Sequence, residues 1–471
     1  MPIPLAAALA LALAAAQAGP EPGAPAEIPE AEPAAPVGTP LAPRWIVERI
    51  AFVGLHKTLP STARKHVLVK VGDLLDEEKV LLSRLKLTQL GWFSRVETRV
   101  ERGTVRGQVV LVFEVQERNT LLVSDLFIGT TDPTPIYGGL GLAEHNFLGR
   151  GFGLSGAFVY GGTPAQQPLA PSRSSLRAAF TAPDLEVLGA SAHLGFSALW
   201  IRGEELTCHD PDCSAFQDHF GDAPRLRYSR SGGGVELGTR TAPFARIVVG
   251  LRGEAITATT LPGRAAELDQ GGGPAPFVKE GRSTLMALSL AFARDTRDDP
   301  FFPRSGTRLD AGITLGSGVF GGDYDYTRTL VQGELDLSPV RDHGLRLQLA
   351  LGLVQGDAPF FERFYPADWA YFSLGPALGR ALDLNFSTDS RYDRILAMGG
   401  AEWGVPLWSG GHAFTRGYLA LGARALFTAA QPGAGRTTAS RTPFSAECAL
   451  RFDTPVGAFN LSLGYLLDNF Q

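Results

Sequence analysis

The stretch LRLQLALGL at residues 345–353 decides the fold. Leucine occupies every odd position from Leu345 to Leu353, while arginine, glutamine, alanine and glycine occupy the positions between. A period of two is typical of a β-strand with one apolar and one polar face. The same alternation recurs at 331–337, 419–427 and 459–465. We therefore expect strands from about residue 119 onward.

Two folds are compatible with this alternation. In a soluble sandwich the apolar faces would form a core, whereas in a transmembrane barrel they face lipid and the polar faces line a wet lumen. Aromatic strand ends and inner faces of glycine and polar residues favour the barrel. At roughly 20–23 residues for each strand with its connection, residues 119–471 predict an all-β transmembrane barrel of about 16 antiparallel strands.

The composition of the chain excludes several other classes. Among 471 residues, 43 Lys and Arg stand against 48 Asp and Glu, which gives a formal charge of −5 and no uniform basic field for nucleic acid. The 44% apolar content is too high for a disordered chain. The 56 glycines fit neither a helical core nor a collagen repeat. Glycine on the inner faces and at the turns of strands accounts for them.

The N-terminus predicts export. Residues 5–16 (LAAALALALAAA) form a short apolar core before Ala16-Gln17-Ala18, so we expect a signal peptide over residues 1–18, although Lys and Arg are missing from its first residues. A soluble helix is the alternative interpretation. Residues 19–43 are rich in Pro and Ala and predict a linker.

The cysteines and the search for catalytic motifs point away from metal chemistry and catalysis. Cys208 and Cys213 are close enough in sequence to form a disulfide, with free thiols or a metal site that includes His209 and His219 as alternatives. The sequence contains no Gly-x-Ser-x-Gly and no His-Glu-x-x-His motif. We therefore expect no enzyme, no cofactor and no metal.

Residues 44–118 form a chemically distinct region. Five of the six lysines lie between Lys57 and Lys86. The pattern predicts a strand over 45–53, a helix from Ser61, a break at Gly72-Asp73, a helix over 76–90 and then two strands. We expect a small α+β domain here.

This region resembles a POTRA domain, the periplasmic module of outer-membrane barrels. The resemblance rests on IAFVG (50–54), VGDL (71–74), LGWFSRV (90–96) and VFEVQE (112–117). It implies that unfolded or partly folded client proteins add a strand to an exposed sheet edge. We expect that edge to consist of Val109, Val110, Leu111, Val112, Phe113, Glu114 and Val115.

Three segments of residues 119–471 resemble the BamA/TamA-like outer-membrane assembly and secretion superfamily of bacterial surface antigen type. They are EHNFLGRG (144–151), RDTRDDPFFPRSG (294–306) and PFFERFY (359–365). The second predicts a tight turn, in which interleaved arginines favour ion pairs over a calcium site. Its key residues are Asp295, Arg297, Asp298, Pro303 and Gly306.

The chain departs from this family in one loop. Members carry an Arg-Gly-aromatic tip after the PFFERFY stretch, but residues 373–381 read SLGPALGRA. Arg380 is the candidate anchor in its place. Arg416-Gly417-Tyr418 opens a period-two strand and is not expected to be the tip.

Residues 459–471 resemble the barrel-assembly signal, with Gly464, Tyr465 and Phe470 as its marks. The resemblance implies insertion by the barrel-assembly machinery, outer-membrane lipid as a partner, and a location in the outer membrane of a Gram-negative bacterium with the POTRA domain in the periplasm. The expected function is assembly or translocation of other proteins. A porin-like diffusion channel or a structural surface-antigen barrel are the alternatives.

Overall fold

A computed structural model describes residues 45–467 apart from several internal stretches. Those stretches are 132–133, 163–172, 188–189, 207–224, 262–277, 300–301, 341, 366–368, 370–391, 411–413, 415, 430–443 and 455–456. The predicted signal peptide (1–18), the linker (19–43), Cys208, Cys213, Arg380 and Phe470 lie outside the described residues.

The N-terminal region folds as the α+β unit that the sequence predicts. Its elements are β1 (Ile46–Val53), α1 (Pro60–Arg64), α2 (Glu77–Gln89), β2 (Phe93–Arg102) and β3 (Gln108–Glu117). The carboxylate of Asp76 accepts hydrogen bonds from the backbone N–H groups of Glu78 and Lys79 and so caps α2. Gly91, with φ of +70°, ends it. Val47, Leu87, Trp92, Leu111 and Phe113 form the core.

The prediction that Val109–Val115 form an exposed edge is wrong. The sheet order is β1-β3-β2, so β3 is the central strand, parallel to β1 and antiparallel to β2. Val109–Phe113 are all buried, as expected for a strand covered on both faces and paired on both sides. Within the described residues, β2 pairs only with β3 and leaves its other edge free.

Fifteen further strands form one antiparallel sheet in which each strand pairs with its neighbours in sequence. They are β4 (Leu121–Thr131), β5 (Thr134–Phe147), β6 (Phe152–Gly161), β7 (Arg173–Val187), β8 (Ala190–Leu206), β9 (Arg225–Ala242), β10 (Ala245–Leu261), β11 (Gly281–Asp295), β12 (Gly306–Gly316), β13 (Tyr326–Leu337), β14 (Gly344–Gly356), β15 (Ile395–Ser409), β16 (Arg416–Ala429), β17 (Phe444–Thr454) and β18 (Gly457–Leu467). Strands β8–β10 are 17 or 18 residues long, and the strands within the described residues number fifteen, against the predicted sixteen or so.

The two faces of these strands differ as the alternation predicts. On β14, the odd-numbered residues Leu347, Leu349 and Leu351 are exposed, whereas the even-numbered Ala350 and Val354 are buried. Leucine, valine and aromatic side chains on β5–β10, β16 and β18 are exposed in the same way. An apolar surface that encircles the sheet is typical of strands that face lipid. In the described part of the chain, no helix is long and apolar enough to cross a membrane.

The large sheet curls into a barrel. Arg118, just before β4, donates a hydrogen bond of 2.8 Å to Asp453 on β17, so the two margins of the sheet lie close together. Buried side chains from β10, β11 and β13–β16 share one internal cluster. A second cluster joins β6, β8, β9 and β10.

Candidate functional site

The turn between β5 and β6, which carries NFLGRG, joins the barrel to the α+β unit. Asn146 accepts a hydrogen bond of 2.8 Å from the backbone N–H of Gly151, and its amide donates to the hydroxyl of Thr58 at 2.8 Å. The backbone N–H of Leu59 donates to the carbonyl of Gly149 at 3.0 Å. The motif therefore fastens the segment before α1 to the rim of the barrel.

Two glycines of this turn are needed for a close approach. Gly149 has φ of +69°, and a Cβ there would collide with the backbone carbonyl of Lys57. Gly151 has φ of +72°, and its Cβ would lie 2.8 Å from the ring of Trp92. Both the left-handed backbone and the missing side chain thus serve the contact.

Asp184 on β7 is a second point of attachment. Its carboxylate lies 3.6 Å from Nε2 of His66 and pairs with Arg240 of β9, while its backbone carbonyl accepts a hydrogen bond of 3.0 Å from Lys65. The ring of His66 meets Trp92 edge to face at 5.5 Å. Trp92 in turn donates to the carbonyl of His145 at 2.9 Å.

Burial decides the charge state of this junction. Burial lowers the pKa of His66 from 6.5 to about 4. The carboxylate of Asp184 acts to raise this pKa, but the positive charges of Arg240, Lys86 and Lys65 oppose it. Burial also lowers the pKa of Lys86 to about 8. The imidazole is therefore neutral at pH 7.

The end of α2 reaches the turn between β11 and β12. The amide of Gln89 donates to the backbone carbonyl of Arg297 and, at 3.5 Å, to that of Asp295. With the contacts at β5–β6 and β7, the α+β unit attaches to rim positions from β5 to β12. One side of the barrel opening therefore carries this unit.

Internal ion pairs and backbone hydrogen bonds hold the β11–β12 turn, as the sequence predicts. Arg297 pairs with Asp295 at 2.7 Å and with Glu334 of β13 at 3.2 Å. Asp298 accepts a backbone hydrogen bond of 2.8 Å from Arg304, one residue after Pro303. Gly306 has φ of +118°, and a Cβ there would lie 2.5 Å from the carbonyl of Thr296. The described residues hold no group of side chains suited to a metal ion.

Arg416-Gly417-Tyr418 belongs to this rim. Arg416 pairs with Asp299 at 2.9 Å and with Asp453 at 3.3 Å. Its guanidinium lies 4.9 Å from the ring of Phe302, which stacks on Tyr418 at 5.5 Å. The arginine therefore connects the β11–β12 turn with β17.

Residues 359–365, which we call the luminal segment, lie inside the barrel. Phe360, in a 3₁₀ turn (Phe360–Glu362), is fully buried in a cluster with Val159 of β6 and Ile201 of β8. Its ring meets Tyr228 of β9 at 5.0 Å. Because the segment follows β14, these contacts require it to cross the lumen.

Arginines of the barrel wall hold the luminal segment. Arg230 of β9 stacks on Phe361 at 3.6 Å, Arg252 of β10 pairs with Glu362, and Arg328 of β13 lies 5.1 Å from Phe364. Arg230 also pairs with Glu254 at 2.9 Å, and the side chains of both are almost fully buried. Gly352 leaves the space that the ring of Phe364 occupies.

The structure places the other predicted residues apart from this site. Gly464 and Tyr465 lie on β18, opposite Glu447 and Ala446 of β17. Arg252 could not be identified from the sequence, because an inward arginine on a period-two strand does not reveal its partner. The same holds for Asp184 and His66, which lie far apart in sequence.

A curled antiparallel sheet with a lipid-facing outer surface, joined at its rim to a POTRA-like α+β unit, defines an outer-membrane barrel with a periplasmic domain. The chain belongs to the Omp85 superfamily. The model of the Omp85 superfamily domain matches residues 146–470, and the POTRA model, described as surface antigen variable number repeat, matches residues 46–118. This confirms the expected family and fold class. The protein is located in the outer membrane of a Gram-negative bacterium, with its POTRA domain in the periplasm.

Individual relatives are distant. The chain is 23% identical over 324 residues to the outer membrane protein assembly factor BamA of Nitratidesulfovibrio vulgaris, covering 68% of this chain and 36% of the relative. It thus spans about a third of that protein's length. The fold is similar to CdiB from Escherichia coli (TM-score 0.59, 11% identity, 90% of this chain and 73% of the other). CdiB from Acinetobacter baumannii gives a TM-score of 0.50 at 10% identity, with 90% and 74% covered.

Proposed function

We propose that the protein assembles or translocates other proteins at the outer membrane. Unfolded or partly folded clients would add a strand to the free edge of β2, and the barrel would then insert or pass them. The observation that carries this proposal is the free β2 edge on a domain that is fastened to the barrel rim. Membership of the Omp85 superfamily supports it.

The β2 edge is suited to strand addition for a physical reason. An edge strand presents unpaired backbone N–H and C=O groups that bind an extended chain of any sequence. The exposed ion pairs Arg95–Glu97 and Arg99–Glu101 lie along β2 and oppose aggregation through this edge when no client is bound. Clients would therefore be recognised by backbone pairing more than by side-chain identity.

The luminal segment argues against the porin-like alternative. Phe360 and Phe364 are almost completely buried inside the barrel, where a diffusion pore would hold water. We assign no catalytic step to the protein. Insertion of the protein itself into the membrane would depend on the barrel-assembly machinery. A purely structural role would leave the free β2 edge without a use.

Photocrosslinking in the periplasm tests the proposal. A photoreactive amino acid replaces Val100 on β2, whose side chain is 51% exposed. The matched control replaces Val105, which is 59% exposed but lies in the connection between β2 and β3. We expect newly exported outer-membrane or secreted proteins to crosslink at position 100 and not at position 105. Equal crosslinking at both positions, or none at either, would contradict strand addition at β2.

A further inference from the structure

We propose that Arg230, Arg252 and Arg328 form a binding site in the lumen for an extended segment that carries a carboxylate flanked by aromatic rings. The luminal segment fills this site in the structure. A client segment of the same chemistry exchanges with it. This inference rests on the proposed function, because it names the chemistry of a client that enters the barrel.

Each arginine contacts a different residue of the luminal segment. The three arginines come from β9, β10 and β13, and they contact Phe361, Glu362 and Phe364 respectively. A guanidinium both stacks on an aromatic face and pairs with a carboxylate, so the row matches the pattern ring, carboxylate, any residue, ring. A lysine row would not provide the stacking.

The charge of the site requires an acidic occupant. The side chains of Arg230 and Glu254 are 1% and 0% exposed, and that of Arg252 is 32% exposed. Among the described residues, Glu362 pairs with Arg252, and Glu254 lies within 3.4 Å of both Arg230 and Arg252. Uncompensated buried charge is costly, so an empty site is unfavourable and the segment leaves only when another carboxylate replaces it.

The luminal segment does not satisfy the site completely. Among the described residues, Nε of Arg328 is buried without a hydrogen-bond partner, whereas Oε1 of Glu254 lies 3.4 Å from Nε of Arg252. Buried polar atoms without a partner each cost free energy that a better-matched occupant recovers. An incoming segment with further polar groups can therefore compete with the protein's own residues.

Conductance of the full-length protein in planar lipid bilayers tests this proposal. Glu362→Gln removes the charge of the occupant and should raise the mean conductance above that of the wild type. A free peptide with the sequence of residues 359–365 should then block the Glu362→Gln channel. A peptide with glutamine in place of the glutamate should block only at an about tenfold higher concentration, which corresponds to a difference in binding free energy of about 1.4 kcal/mol. Asp310→Asn, which removes the half-buried Arg308–Asp310 pair on β12, is the control and should behave like the wild type.

Two results would overturn the proposal. One is unchanged conductance in Glu362→Gln, and the other is equal block by the two peptides, which would indicate plugging without recognition. If Glu362→Gln does not fold, Arg328→Gln serves instead, because it removes the guanidinium that lies 5.1 Å from the ring of Phe364 and one of the positive charges that act on Glu362. It should then raise the mean conductance, and unchanged conductance would overturn the proposal. Bilayer conductance needs no client assembly, so failure here is distinguishable from failure of the proposed function.

Discussion

The buried imidazole of His66 makes the contact between the POTRA domain and the barrel sensitive to pH. Its pKa of about 4 lies below the ordinary 6.5, so the neutral form stabilises the contact. That stability is fully present above pH 6.5 and is lost as the pH falls towards 4, by about 1.4 kcal/mol for each pH unit between those limits. The charged groups that face the ring are Asp184, Arg240, Lys65 and Lys86.

We expect wild-type protein at pH 5 to lose protection of the α1 region from protease relative to His66→Gln. The glutamine does not titrate, and a comparison at equal pH removes the pH dependence of the protease itself. At pH 7.5 the two proteins should be cleaved at similar rates. The same ratio of rates at both pH values would contradict a role for His66 protonation.

Among the structural elements, the β5–β6 turn gives the sharpest test of the junction. Gly149→Ala introduces a left-handed non-glycine residue, at a cost of about 1 kcal/mol, and a collision with Lys57. We expect it to release the POTRA domain, measured as faster proteolysis of the segment before α1. Gly321→Ala is the control, because Gly321 has φ of +84° with nothing within 4 Å of its Cβ position. Equal proteolysis in both variants would contradict this role of the β5–β6 turn.

The β11–β12 turn depends on Arg297. Its side chain is 9% exposed and pairs with Asp295 and Glu334, which are more exposed. Arg297→Gln should lower the free energy of unfolding by about 1–3 kcal/mol, measured by urea titration in lipid vesicles. Arg95→Gln, which removes an exposed pair on β2, should change it by less than about 1 kcal/mol. Similar losses in both variants would contradict the role of the turn.

Local sequence patterns predict where the helices, strands and turns begin and end, but they do not predict which strands pair with each other. Rules that act over a few residues account for the N-cap of α2 at Asp76, for Gly91 just after the end of α2, and for the turn at Asp298. The order β1-β3-β2 does not, because a chain can place its last strand at the edge or in the centre. The continuous apolar run of Val109–Phe113 was the available signal for a central strand.

The candidate site was predicted only in outline. The sequence singled out NFLGRG and PFFERFY as motifs, but the partners of these motifs, Thr58 and Arg252, lie far away in sequence. Alternation places an arginine on the inner face, while the curl of the sheet decides which residue it meets. That curl is a property of fifteen paired strands together.

For the whole molecule, the lipid-facing surface determines stability in the membrane. Leu349, 54% exposed on β14, belongs to this surface. Leu349→Arg should lower the free energy of unfolding in lipid vesicles by about 2–4 kcal/mol if the residue lies near the bilayer midplane. Val319→Arg, at a position 90% exposed in the connection between β12 and β13, should change it by less than about 0.5 kcal/mol. Equal effects would contradict the assignment of the surface to lipid.

The proposed function of the whole molecule is to deliver other proteins to the outer membrane. Quantitative mass spectrometry of outer-membrane proteins, after depletion of this protein in its own bacterium, tests that function. We expect particular barrel or secreted proteins to disappear from the outer membrane and the full-length chain to restore them. An unchanged set of outer-membrane proteins, together with reduced uptake of small solutes, would contradict the proposed function and indicate a diffusion channel.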